Sequence, residues 1–352
     1  MKQKLLIIDK NQFGSLTDSY KWCEHLRGEY DITVLCIEST REKVEMPDVK
    51  VEYVNFKLPY ILRAILFTVA TLWKVCFFKG KILVEYYPMC SILKRVFRNK
   101  RMHVDVRTLS VSKDERERKR FNRKIRRDCS CFDSISAISQ GVADELNLPN
   151  VTILPLGSDV ISETKKDYCT DIRLLYVGGF LNRNFEQTLQ GYRQFIDRNL
   201  GANIHYDIVG YGSDWQLNEL KRQARDLNLD EYLTFHGYIP HSKLKPFFDS
   251  CNVGICYVPI VSYYQHQPPT KTYEYILSGL FCIATGTEAN RELITSENGL
   301  IIEDTPESFC NGLEKFMSMR ECLDESKIRK SLEFGLWKSI VNEKLKPLLR
   351  EL

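Results

Sequence analysis

The sequence contains no C-x-x-C pair, no G-x-G-x-x-G run, no low-complexity tract and no short repeat. Its twelve cysteines are scattered over 352 residues without metal-ligand spacing or a disulfide framework. The only close pair, Cys129 and Cys131, is one residue too tight for C-x-x-C chemistry, so reduced thiols are expected. The start, running from Met1 into Lys4-Leu5-Leu6-Ile7-Ile8-Asp9, lacks a cleavage-site pattern, and a cytoplasmic location is expected. An uncharged run long enough to span a membrane is also missing. The most apolar stretch, residues 58–78, holds Arg63 and Lys74, each costing about 2.5–3.5 kcal/mol near a bilayer centre. Within it Ile61, Leu62, Ile65, Leu66, Val69, Leu72, Trp73 and Cys76 share one helical face, with Arg63, Thr71 and Lys74 on the other. This predicts a helix packed on the core through its apolar side.

What the chain does have is enough apolar residue, 43% against 27% charged, to build two cores of ordinary size. The first half alternates helical stretches with short β-rich runs near Leu5–Asp9, Ile32–Ile37, Val51–Val54, Ile82–Tyr86, Met102–Val106 and Ser134–Ile138. After a turn at Leu154-Pro155-Leu156-Gly157 and a charged linker through Asp171 the pattern restarts. New strands are predicted at Arg173–Val177, Ile204–Val209, Tyr232–Phe235, Val253–Tyr257 and Phe281–Thr285. The prediction is α/β, with two doubly wound Rossmann-like domains over residues 1–160 and 161–335 and a last helix over 336–352. Ligands of such sheets bind beyond the carboxyl ends of the strands, so the turns after strands are the places to search.

The sharpest of these is Pro268-Pro269-Thr270-Lys271-Thr272-Tyr273-Glu274-Tyr275-Ile276-Leu277-Ser278-Gly279. Proline at its start and glycine at its end predict a helix of about two to three turns. Lys271 in the first turn opposes the helix dipole, a conflict that a bound phosphate would resolve. Glu274, on the same face, could accept hydrogen bonds from both ribose hydroxyls. An ordinary i,i+3 ion pair between Lys271 and Glu274 is the other reading. The run Tyr263-Tyr264-Gln265-His266-Gln267 lies just before. A second turn, Gly178-Gly179-Phe180-Leu181-Asn182-Arg183-Asn184, combines close backbone approach with a guanidinium fork suited to a diphosphate. A third, Val209-Gly210-Tyr211-Gly212-Ser213, fits a tight strand-to-helix turn as well as it fits ligand contact.

Together these stretches resemble the nucleotide-binding domain of glycosyltransferase family four, retaining enzymes of the GT-B fold. The resemblance rests on Tyr176-Val177-Gly178-Gly179 with Arg183-Asn184, Ile208-Val209-Gly210-Tyr211-Gly212, and Phe235-His236-Gly237-Tyr238-Ile239-Pro240. It continues through Pro269-Thr270-Lys271 with Glu274-Tyr275 and Ser278-Gly279, to Asn298-Gly299-Leu300-Ile301. It implies two domains facing an interdomain cleft, with Arg183 and Lys271 on the donor diphosphate, Glu274 on the ribose, and backbone around Tyr238, Ile239 and Pro240 at the base. Gly178, Gly179, Gly210 and Thr270 would line the donor site, and Gly14 would close over the phosphates. Two positions depart from the family pattern. Gly179 stands where an arginine is usual, and His266 where the first of two paired glutamates is expected. His266 and Gln267 would then set an unusual sugar preference. In the first half Val104-Asp105-Val106-Arg107 resembles the cleft-facing segment, leaving Asp105 either a catalytic or acceptor-binding residue or half of a structural ion pair with Arg107.

No two aspartates are spaced D-x-D, so no metal site is expected, and a UDP or GDP sugar is the donor without further cofactor. The resemblance implies a glycan or a lipid-linked acceptor, in surface polysaccharide synthesis. Residues 113–127 carry a net charge of +6 against −2 for the remainder. With Phe121, Ile125 and Cys129 as an apolar stripe, they read either as a contact for an anionic membrane surface, making the protein peripheral, or as a solvated helix. Nucleic acid is not expected as a partner, because the run lacks interleaved aromatics. An epimerase of the same architecture, and a silent binding protein, are the competing readings.

Overall fold

The computed structural model describes residues 2–54 and 59–352. Two compact units are present, one formed by the chain up to Gly157 together with Trp337–Leu352, the other by Ser158–Leu336.

In the first unit seven strands, β1 (Gln3–Asp9), β2 (Tyr30–Ile37), β3 (Val49–Val54), β4 (Lys81–Glu85), β5 (His103–Val106), β6 (Ser134–Ala137) and β7 (Val151–Ile153), pair in parallel in the order β3-β2-β1-β4-β5-β6-β7. Between them run α1 (Thr17–Leu26), α2 (Tyr60–Phe77), α3 (Ser91–Val96), α4 (Glu115–Cys129) and α5 (Gln140–Leu146). The run Leu5-Leu6-Ile7-Ile8 has no exposed surface, as expected of a central parallel strand covered on both faces. The second unit repeats the plan. Its strands β8 (Ile172–Gly179), β9 (Ile204–Tyr211), β10 (Leu233–Gly237), β11 (Val253–Cys256), β12 (Phe281–Thr285) and β13 (Gly299–Ile302) take the order β10-β9-β8-β11-β12-β13. The helices are α6 (Glu186–Arg198), α7 (Asp214–Asp226), α8 (Lys245–Ser250), α9 (Thr270–Leu277), α10 (Glu288–Leu293), α11 (Pro306–Met319) and α12 (Glu325–Ser331).

The strand order reverses beside β1 in one unit and beside β8 in the other. Connections leave the two neighbours at that point in opposite directions, opening a crevice at their carboxyl ends. The segment after α12 returns to the first unit as α13 (Trp337–Ile340), a π turn over Val341–Leu345, and α14 (Lys346–Glu351). Lys81 Nζ donates to the Leu349 carbonyl at 2.5 Å, and Lys346 pairs with Glu29.

One expectation fails. Helix α2 forms where the pattern places it, but its apolar face is turned outward: Leu62, Ile65, Leu66, Val69, Trp73 and Cys76 are exposed, with Leu72 half-buried. Leu58 and the side chain of Ile61 lie outside the described residues. The inward face is instead Phe67, Thr71 and Val75. Phe67 meets Tyr87 edge-on at 5.2 Å, Thr71 Oγ1 lies 3.3 Å from the Tyr87 hydroxyl, and Lys74 pairs with Glu52 of β3 at 2.7 Å. With a carboxylate waiting at the sheet, the lysine side can face inward without an unpaired charge. The helix is more apolar around its circumference than one sheet face can cover.

The second unit is packed tightly around α9. A Cβ at Gly254 would stand 2.2 Å from Tyr275 Cγ. Gly254→Ala is expected to lower the unfolding midpoint of this unit by roughly 5–10 °C, as overpacking does, measured by calorimetry; an unchanged midpoint would contradict the packing described.

Candidate functional site

Strand β8 ends on Gly178 and Gly179, and α9 begins beside that end. Gly178 has φ +151°, and a Cβ there would lie 3.3 Å from Lys271 Nζ, so the lysine amine sits directly against the strand terminus. Helix α9 is held there firmly. The Tyr275 hydroxyl accepts from Val177 N at 2.8 Å, and Thr272 Oγ1 donates to Asn290 Oδ1 at 3.0 Å. Gly279, at φ +80°, stops the helix in the left-handed conformation that glycine tolerates best. Pro269 occupies the N-cap, one position before the first helical residue, Thr270, and no side chain caps the first turn.

The Lys271 amine lies 3.9 Å from the centroid of the Tyr176 ring, whose hydroxyl donates to the Gly179 carbonyl at 2.9 Å. It is buried and has no hydrogen-bond partner among the described residues. Burial brings its pKa down to about 8, with the charge of Arg183 pushing in the same direction. The Cys282 thiol nearby is itself held well above the ordinary thiol range by burial, and so stays neutral. Arg183 stands between Asn182 and Asn184, both with positive φ. Its guanidinium lies 4.7 Å from the Tyr264 ring centroid, and Nη1 is buried without a hydrogen-bond partner among the described residues. Two cations thus meet the end of β8, and among the described residues neither forms an ion pair with a carboxylate, Glu274 acting on Lys271 only as the weakest of its charge neighbours. A buried, unpartnered charge is costly, and a dipole-opposed lysine more so; an anion of two negative groups at this point would satisfy both.

Glu274 lies one turn along α9 and is buried, but its partner is His241, whose Nε2 is 3.0 Å from Oε1. No ion pair joins it to Lys271 among the described residues. Tyr238 is exposed after β10 and stands edge-on to Tyr211 at 5.8 Å; Ile239 beside it is half-buried. Gly179 approaches the Tyr211 ring, 3.4 Å from where a Cβ would be. Gly210 is different: a Cβ there would fall 2.2 Å from Phe180 Cζ, so the missing side chain makes room for a packed ring. His266 Nδ1 lies 3.1 Å from Glu288 Oε2 at the start of α10, and Gln267 is half-buried next to it.

The first unit holds the other two residues singled out. Gly14, at φ +79°, is exposed in the loop after β1 and packs against Val44. Asp105 has no exposed surface. It accepts from Ser136, lies 3.6 Å from Arg107 Nε, and burial lifts its carboxyl to about 6 against the pull of Arg107. Arg107 in turn pairs with Asp18 and donates to the Leu154 carbonyl at 2.7 Å. His103 is enclosed between Ser134 and Ser136, and burial depresses it to about 3, so it is neutral. Sequence reasoning passed over Glu85, at the carboxyl end of β4. Burial, reinforced by Asp9, Asp18 and Asp105, holds its carboxyl well above the usual range. An acid inside the apolar run Ile82-Leu83-Val84-Glu85-Tyr86 was the available signal. His241 and Glu288 were also passed over; both contact their partners only through tertiary structure.

Residues 171–319 match the family model for glycosyl transferases group 1. That span contains every second-unit residue of the site described above, from Tyr176 to Asn290. No curated protein matches the chain in sequence. Among solved structures, sucrose-phosphate synthase from Thermosynechococcus elongatus superposes with a TM-score of 0.76 at 13% identity, covering 99% of each chain. The lipopolysaccharide outer core galactosyltransferase WaaB, in apo form, gives 0.72 at 13%, covering 99% of this chain and 100% of that one. Anabaena HepE, solved with UDP and glucose, gives 0.75 at 12% identity, over 99% and 100%. The fold is GT-B, with two Rossmann-like parallel-sheet units.

Replacing Lys271 tests the site without an assay of turnover. The folded-state pKa lies below the ordinary 10.5, so the unfolded chain binds the extra proton more readily and the charge opposes folding below pH 8. Lys271→Met is expected to raise the melting temperature at pH 7, with a gain that fades as pH rises toward about 10.5, and to abolish protection by added nucleoside diphosphate. A variant that melts lower at pH 7 would show that the amine has a partner in the folded protein.

Proposed function

We propose that the protein is a glycosyltransferase that moves a sugar from a nucleoside-diphosphate donor, UDP or GDP sugar, to a hydroxyl of a glycan or lipid-linked acceptor, with retention at the anomeric carbon. One observation carries the reading: a buried lysine amine and a guanidinium converge on the end of β8, and neither Lys271 Nζ nor Arg183 Nη1 has a hydrogen-bond partner among the described residues. As the bond from the anomeric carbon to the phosphate oxygen breaks, negative charge grows on the diphosphate. Fixed cations in a site screened from water stabilise that charge most where it develops. Lys271 and Arg183 fill this role, and the reading needs no metal beside them. In the retaining course, the acceptor oxygen bonds to the anomeric carbon on the face the phosphate leaves, and its proton passes to the departing phosphate oxygen. The products are the glycoside and the nucleoside diphosphate. Glu274, oriented by His241, would accept the ribose hydroxyls, and Tyr238 and Tyr211 would flank the base.

His266 faces Glu288, so a carboxylate stands beside the position where the family's first paired glutamate is missing. We infer that this pair addresses the donor sugar. The twelve cysteines are all free thiols, in keeping with a cytoplasmic site of action, and surface polysaccharide synthesis is the role that such an acceptor suggests.

Incubation with a panel of uridine, guanosine and adenosine diphosphate sugars, followed by mass spectrometry, is expected to show slow release of free sugar from one of them. Lys271→Ala and Arg183→Ala should each reduce that release by roughly 10²–10³-fold. An isomerised donor would mean an epimerase instead, and binding without turnover a silent protein. The diphosphate should raise the Lys271 pKa when bound. Affinity for the nucleoside diphosphate is therefore expected to fall as pH rises above about 8, read by calorimetry; a pH-independent affinity from pH 7 to about 9.5 would remove Lys271 from the contact.

A further inference from the structure

Helix α2 shows an apolar face that nothing among the described residues covers. Ile65, Val69, Trp73 and Phe77 are 54%, 55%, 70% and 66% exposed, and Trp73 and Phe77 stack edge-to-face at 4.9 Å. With Leu62 and Leu66 they follow helical spacing and form one stripe along the helix. Contiguous exposed apolar surface of this kind marks a site of interaction.

The surroundings indicate what covers it. From Pro59 to Arg101 the sequence holds nine basic residues and one acid, Glu85, which is buried. Lys79, Arg95, Arg98 and Arg101 are exposed. Lys100 ties this segment to α2, donating to the carbonyls of Cys76 at 3.1 Å and Phe78 at 2.7 Å. Helices α2, α3 and α4 lie on one side of the sheet, because right-handed crossovers from β3 to β4, β4 to β5 and β5 to β6 all run in the same direction. Asp128 of α4 joins α4 to α3, accepting from Ser91 Oγ at 2.5 Å and Met89 N at 3.1 Å. The apolar residues of α4 are not part of the outer surface. Ile125 and Cys129 are buried and Phe121 half-buried, while Lys113, Arg116, Lys119, Arg120, Arg123, Lys124, Arg126 and Arg127 are exposed. The basic segment therefore supplies charge, and α2 supplies the apolar surface.

We propose that this face docks on an anionic lipid bilayer, with α2 lying in the plane of the interface, its apolar stripe among the acyl chains and the bases of α3 and α4 at the head groups. An interfacial helix has this combination of an apolar stripe and flanking positive charge. No helix among the described residues is long and apolar enough to cross a membrane. A second copy of the chain is a poorer occupant, since a symmetric contact would bring like charge against like charge. The inference does not depend on the glycosyl-transfer reading.

Flotation of the full chain with phosphatidylcholine vesicles, with and without phosphatidylglycerol, tests it. Binding is expected only with the anionic lipid, and weaker at high salt. Val69→Asn with Trp73→Ser should weaken binding roughly ten-fold or more while keeping the circular dichroism and melting temperature of the parent. Reversing Arg123, Lys124, Arg126 and Arg127 to glutamate should remove the salt-dependent part and keep the circular dichroism of the parent. Failure of the parent to float with anionic vesicles overturns the proposal, as does full binding by the Val69/Trp73 variant. So would light scattering that shows a dimer, converted to monomer by that variant, with no vesicle binding.

Discussion

Two positive groups held against the end of one strand, without an ion-pair partner among the described residues, set the terms for the second unit. Charge of this kind cannot simply be enclosed; the surrounding structure must hold it in place against its own repulsion and desolvation. Here the means are visible. Tyr275 fills the space left by Gly254 and bonds to Val177, Thr272 bonds to Asn290, and Gly279 ends the helix. Each contact fixes α9 so that its least comfortable residue remains at the strand terminus. The cost in stability goes into holding two cations in one place.

The two units share a topology but not an electrostatic character. At the corresponding strand ends of the first unit, Glu85 and Asp105 lie near Arg107 and Asp9 lies near Glu85, and burial raises all three carboxyls. Acids therefore stand beside the cation of the first unit, whereas Lys271 Nζ and Arg183 Nη1 of the second have no hydrogen-bond partner among the described residues. The same backbone plan therefore carries different side-chain chemistry at its two switch points, which follows from side chains at strand ends and from nothing in the sheets themselves.

Much of this was legible in the sequence. Buried parallel strands read as continuous apolar runs, and the eleven expected from such runs all form. Two were overlooked, β7 and β13, each at a sheet edge and only three or four residues long, too short for a pattern to declare itself. Lys271 was legible because it conflicts with its helix; a residue that contradicts local preference asks for an explanation outside the helix. The partners of Glu274 and His266 were not, since His241 and Glu288 are brought in by the fold. The outward face of α2 was misjudged for a related reason. Periodicity shows which residues share a side, but the presence of Glu52 opposite Lys74 decided which side met the sheet.

The chain passes from the first unit to the second after Gly157 and comes back at Trp337, whose ring occupies the space that a side chain on Gly157 would need. Trp337, Leu345, Leu348 and Leu349 are part of the first unit's interior. During translation those residues leave the ribosome only after the whole of Ser158–Leu336. The first unit to be synthesised is thus the last to be completed, and until then a nascent chain carries its unfinished core exposed to whatever chaperone attends it.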